Sequence, residues 1–193
     1  SVAAADATYK VDDNIDITVT FSEAVTKTGT PTLTLSNGAT ATYSSGDGST
    51  ALVFRYTVAE GNTDSADLSV SSYSGTLADS AGNAAAAVSG DLGAVIVDAN
   101  SPSFVSVAAA DATYKVDDNI DITVTFSEAV TKTGTPTLAL SNGGTATYLS
   151  GDGNTALVFR YTVAEGHTDS TDLSVSSITA TLADSAGNSF AGT

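Results

Sequence analysis

The residues in this chain that could do chemistry are carboxylates. There are 22 Asp and Glu against 6 Lys and Arg, one His and no Cys, for a formal charge of −16. Carboxylates in close pairs serve one of two ends: acid and base flanking a glycosidic bond, or an oxygen cage for a hard divalent cation that takes about 6–8 ligands. Asp12 with Asp13 and Asp64 with Asp67 are the close pairs. Adjacent acids on short turns point apart, and with no Trp in the chain no aromatic platform accompanies them to grip a sugar, so no enzymatic activity is expected. Asp12, Asn14, Asp16 and Glu23 have the spacing of EF-hand ligands, but Ile17 stands where that loop needs Gly, and the same residues alternate like a strand. The sole histidine, His167, has Asn62 at the matching position of an internal repeat, which argues against a catalytic or zinc site built on it.

The acidic balance excludes nucleic acid and insertion into an anionic membrane as partners, because both attract positive charge. No apolar run reaches the roughly 18 residues of a spanning helix, while 41% hydrophobic residues is too many for a disordered acidic tail. The chain contains no Met, so it is expected to be a piece of a longer protein or a processed one.

Residues 1–88 lie on residues 106–193 with a constant offset and no gap, and 13 of the 88 positions differ, at 34, 39, 44, 49, 62, 66, 73, 74, 75, 84, 85, 87 and 88 of the first copy. A period near 105 is a domain rather than a solenoid unit. The expected organisation is one repeat over 1–98, a linker over 99–102, and a second repeat over 103–193 that lacks the final strand, since residues 89–100 have no counterpart after it. Within each repeat, residues 15–21 alternate apolar and polar side chains with many β-branched residues, the mark of a half-buried strand. Similar runs cover 32–35, 40–43, 52–58 and 94–97; Ser36-Asn37-Gly38 and Ser45-Gly46-Asp47-Gly48 read as tight turns, and residues 84–87 could form one turn of helix. About seven short strands per hundred residues predict an all-β fold: two tandem immunoglobulin-like antiparallel β-sandwiches.

Strands that alternate in direction send their loops to two poles. Following them along the first repeat puts Asp12, Asp13, Asp64 and Asp67 at the pole beside the linker residues Asp98 and Asn100. The pole of the second repeat facing the linker carries Glu128, Asp152 and Asp184; Glu23, Asp47 and Asp79 are their equivalents in the first. That much like charge repels, and Ca²⁺ held by these oxygens at the junction relieves it.

The residues at 15, 18–25 and 29–38, the run Asp79-Ser80-Ala81-Gly82-Asn83, and Val97-Asp98 with Pro102 together resemble the tandem bacterial immunoglobulin-like, or cadherin-like, extender repeats of large RTX and biofilm-associated surface adhesins. The resemblance implies an extracellular, monomeric spacer at the bacterial cell surface. Its partners are adjacent repeats of the same polypeptide, Ca²⁺ stiffens it at the linkers, and it projects a distal domain that alone binds the adhesin's ligand. It implies ligand roles for Glu23 and Glu128, for Asp79 and Asp184, and for the linker carboxylate Asp98. The linker reads Asp98-Ala99-Asn100-Ser101-Pro102 where many such repeats carry Asp-Thr-x-x-Pro, so Asn100 offers an amide oxygen, a weaker ligand than a carboxylate. The alternative is an adhesion module that binds a glycan or a protein through its loops or a sandwich face.

Overall fold

A computed structural model describes residues 1–192. The chain divides into two compact units, Ser1–Asn100 and Ser101–Thr193. The first contains β1 (Val2–Ala3), β2 (Ala7–Tyr9), β3 (Asn14–Leu35), β4 (Thr40–Ser45), β5 (Ser49–Thr57), β6 (Ser69–Ala78), β7 (Gly90–Asp91) and β8 (Val95–Val97). The second contains β9 (Phe104–Ala109), β10 (Asn119–Leu140), β11 (Thr145–Ser150), β12 (Asn154–Thr162) and β13 (Val175–Ala183). Among the described residues there is no helix, and therefore none long and apolar enough to cross a membrane. Residues 84–87 are not helical either: Ala84 bridges Ala78, and the Ala85 N–H donates to the Leu77 carbonyl at 2.9 Å.

The central element of each unit is one long strand where the sequence suggests two. β3 runs 22 residues and joins the alternating runs at 15–21 and 32–35. Its first part pairs antiparallel with β5 from Asn14↔Thr57 to Thr20↔Ala51 and with β1 through Val2↔Val19. The register then slips between Thr20 and Val25, and the second part pairs with β6, from Thr26↔Ala78 to Leu35↔Val70, and with β4. A second slip, between Thr28 and Thr32, contains Gly29 at φ 74° and Pro31, which bend the strand without ending it. Because β3 serves both halves, the sandwich-like arrangement closes over one core. Ile15, Ile17, Val19, Leu33 and Leu35 face inward from β3 and meet Leu52, Phe54, Val70 and Leu77. β10 repeats the pattern with β12, β9, β13 and β11.

Cross-strand ion pairs mark the same register in both units. Arg55 Nε and Nη2 donate to the two carboxylate oxygens of Asp16, each at 2.7 Å, and Arg160 does the same to Asp121. Asp16 and Arg55 are Cα partners across β3 and β5, so this two-pronged bond fits only the native alignment. The hydrogen bond from each guanidinium lowers the pKa of its carboxyl partner. These groups are half exposed, so they specify register more than they add stability.

One pairing departs from the antiparallel expectation. β2 and β8 form a parallel pair in the first unit, from Ala7↔Val95 to Tyr9↔Val97.

Candidate metal centre

The slip in β3 between Thr20 and Val25 bulges out residues 21–24 and so carries Glu23 to one end of the first unit. β6 ends at Ala78, and the loop Asp79-Ser80-Ala81-Gly82-Asn83 returns the chain at the same end. Asp79 and Glu23 line one cleft of about 320 Å³, together with Ser1, Phe21 and residues 83–89.

Asp79 is held by its own loop. Its Oδ1 accepts the N–H groups of Ala81 (2.9 Å) and Asn83 (2.8 Å), and its Oδ2 accepts the Asn83 side-chain amide at 2.7 Å. The Gly82 N–H closes the turn on the Asp79 carbonyl at 3.1 Å, with Gly82 at φ 90°. The Asn83 amide above all, then the Asn83 N–H, holds the Asp79 carboxyl below the usual carboxylate range. Donors from its own loop therefore fix the orientation of the Asp79 carboxylate.

The second unit builds the same loop. Asp184 Oδ1 accepts from the N–H groups of Gly187 (2.7 Å) and Asn188 (2.9 Å), and its Oδ2 accepts the Asn188 amide at 2.8 Å. Asp184 is 5% and Asn188 2% exposed, whereas Asn83 is exposed and Asp79 half-buried. Glu128, the equivalent of Glu23, offers a carboxylate oxygen within 4.8 Å of one on Asp184. The Glu and Asp of the two motifs, 56 residues apart in sequence, are thus brought to one place in this unit.

At the other end of the first unit the carboxylates of Asp13 and Asp64 bond to groups of the chain itself. Asp12 sits in a turn at φ 72°, where its N–H donates to the Val58 carbonyl at 2.9 Å. Asp13 Oδ2 accepts the Lys10 N–H at 3.0 Å. Asp64 Oδ1 accepts the Ala99 N–H at 2.8 Å and the Asn100 side-chain amide at 2.9 Å, tying down the last residues of the unit. Asp98 is half-buried, its N–H donating to the Tyr9 carbonyl at 2.9 Å. Asp67 is exposed. Asp47 and Asp152 tie their hairpins, each accepting the N–H of Lys27 or Lys132 at 2.7 Å.

His167 has a packing role. In the first unit the Tyr56 hydroxyl donates to Asn62 at 2.8 Å; in the second, the Tyr161 hydroxyl and His167 Nδ1 share a hydrogen bond at 2.7 Å, and the rings stack with centroids 5.7 Å apart. A second difference touches the same ring. Gly144 replaces Ala39, and a Cβ on Gly144 would fall 2.6 Å from Tyr161 Cε2. Both substitutions adjoin the Tyr161 ring, so their effects on stability are expected to be coupled. Gly144→Ala alone is expected to cost about 1–3 kcal/mol by overpacking. Combined with His167→Asn, which restores the first unit's pair, it should cost at least about 0.5 kcal/mol less than the sum of the single changes. Denaturant unfolding of the four proteins in that cycle measures the difference, and strict additivity would refute the coupling.

Residues 1–96 match the family model described as a bacterial Ig-like domain. The second unit keeps all but 13 of the 88 aligned residues of the first and the same β3-type central strand. A comparison with curated proteins returns no significant match.

Proposed function

From a tandem of bacterial Ig-like domains as premise, we propose that this chain is an extender segment of a large bacterial cell-surface adhesin, stiffened by Ca²⁺ where one repeat meets the next. The observation that carries the reading is the Glu128 and Asp184 pair, with carboxylate oxygens within 4.8 Å and Asp184 buried. Two carboxylates so close, one of them shielded from water, favour a bound hard cation. The Asp-Ser-Ala-Gly-Asn loop supports it as well, since it orients one carboxylate before any ion arrives. In this reading Asp98 and the amide oxygen of Asn100 supply further oxygens from the linker. Asp12, Asp13, Asp64 and Asp67 shape the field around them, and Glu23 and Asp79 take the same roles toward whatever precedes the first repeat.

The role is mechanical, with no catalytic step. The near-identity of the repeats supports it, because a spacer gains length from copying while a binding site needs only one good copy. The location is extracellular, where Ca²⁺ is abundant enough for sites with Kd of about 10⁻⁴–10⁻³ M. Ca²⁺ at a hundred times its Kd is expected to raise stability by about 2.7 kcal/mol. Melting in Ca²⁺ and in EDTA checks this, alongside the maximum dimension from small-angle scattering. Asp184→Asn and Glu128→Gln should each abolish most of the difference. Melting and dimension both unchanged by Ca²⁺ would overturn the reading.

A further inference from the structure

The chain enters and leaves the first unit on neighbouring strands. β2 and β8 lie side by side and run the same way, in register from Ala7↔Val95 to Tyr9↔Val97. Val95 and Val97 turn their backbone groups to the side away from β2. The Leu68 N–H donates to the Val95 carbonyl at 2.9 Å, and Val97 exchanges both bonds with Ser65, at 2.8 and 2.9 Å. Backbone groups alternate in direction along a strand, so those of Ile96 face β2. The Asp98 N–H continues that ladder onto the Tyr9 carbonyl at 2.9 Å, and at its other end the Ala94 N–H donates to Asp6 Oδ1 at 3.0 Å. β8 is the anchored member of the pair. Val95 and Val97 are buried in the core, whereas Ala7 and Thr8 are exposed, and just beyond β8 Asp64 holds Ala99 and Asn100.

Direction decides what this pair does under tension. A pull on the chain ahead of β2 acts at the N-terminal end of that strand, and a pull on the chain beyond Asn100 acts at the C-terminal end of β8. In a parallel pair those two points lie at opposite ends. The strands are therefore loaded in shear, and the bonds between them share the force. In an antiparallel pair both points would lie at one end, and the bonds would break in turn. Residues 10–94 lie between the two strands in sequence, so they cannot be drawn out while the pair holds.

We propose that β2 and β8 form a mechanical clamp, and that this pair sets the force at which the first unit opens. Its use to the molecule rests on the extender reading, because a spacer is pulled end to end, but the clamp itself needs no Ca²⁺. The backbone bonds of Ile96, the Asp98 bond to Tyr9 and the Ala94 bond to Asp6 carry the load, and the buried side chains of Val95 and Val97 fix β8 to the core that backs it.

The chain has no cysteine, so introduced thiols can serve as handles. One handle, Ser101→Cys, stays the same in two whole-chain proteins and leaves the second unit outside the loaded path. The other handle is Ala5→Cys, ahead of β2, or Lys10→Cys, behind it. The Ala5 pull shears the pair, whereas the Lys10 pull peels it from one end. In single-molecule pulling in EDTA, the Ala5 handle is expected to need at least about twofold more force, because the evenly spaced bonds of a parallel pair are then loaded together. That rupture should release residues 10–94, up to about 290 Å of extended chain at roughly 3.4 Å per residue. Ile96→Pro removes the N–H that faces β2 and should lower the Ala5 force, while Ile96→Ala keeps the N–H and should preserve it. Equal forces from the two handles, a higher force from Lys10, or no loss in Ile96→Pro would each overturn the clamp. The forces are read without Ca²⁺, so they stand or fall separately from the metal reading, which melting in Ca²⁺ and in EDTA decides.

Discussion

Phe54→Ala is expected to lower the stability of the first unit by about 3–5 kcal/mol, from lost transfer free energy plus the cavity left behind. Phe54 is fully buried on β5, opposite Ile17 on β3 and Tyr43 on β4, and it meets the Tyr43 ring edge-on with centroids 6.0 Å apart. The core contains no Trp, and most of its members are aliphatic, so no neighbour can swing in to fill a space of that size. For a domain near 100 residues, 1 kcal/mol moves the melting temperature by about 4–8 °C, so the first unit should melt more than about 12 °C lower. Phe159 is equally buried in the second unit, with the Tyr148 ring at 6.2 Å. Calorimetry should show Phe54→Ala shifting one transition and Phe159→Ala the other. A loss below about 1 kcal/mol would mean that the core relaxes far more than close packing allows.

The second large effect is at a turn. Gly46→Ala is expected to cost about 3 kcal/mol or more, and Gly151→Ala a similar amount. Gly46 sits at φ 103°, and a Cβ there would lie 2.1 Å from the Ala51 carbonyl oxygen and 3.0 Å from Leu52 Cα; Gly151 repeats this against Ala156 at φ 106°. The obstacle is backbone within the hairpin strand itself, so relief requires pulling β4 away from β5. Gly48 provides the contrast two residues on. It also has positive φ, at 74°, but nothing lies within 4 Å of its Cβ position. Gly48→Ala should cost only about 1 kcal/mol, the left-handed penalty alone. Denaturant midpoints that failed to rank Gly46→Ala well below Gly48→Ala would show that the hairpin yields more easily than its hydrogen bonds suggest.

Much of the candidate site could be read from residue types. The Asp-Ser-Ala-Gly-Asn run is a self-contained loop: Asp79 and Asn83 bond each other across four residues, and Gly82 supplies the positive φ, so the motif carries its own geometry. The approach of Glu128 to Asp184 is different in kind. It depends on β10 bulging between Thr125 and Val130 while β13 pairs with the strand's second half, and neither event has a local signature. Likewise β6 escapes a search for alternation, because Ser69-Val70-Ser71-Ser72-Tyr73-Ser74-Gly75 is mostly serine; it is a strand because β3 presents a free edge to it.

By itself the sequence determined the duplication, the all-β class and the positions of the tight turns. Period-two alternation and glycine at left-handed positions are properties of a few adjacent residues, which any reader of the chain can recognise. Only the tertiary structure decided that two predicted strands are one bent strand, and that a parallel pair closes the first unit. The clearest case is Ala-Thr-Tyr, which is β2 at residues 7–9 and no strand at residues 112–114. The letters are the same, but a β-strand is completed by hydrogen bonds to a neighbour, and β8 provides that neighbour in the first unit.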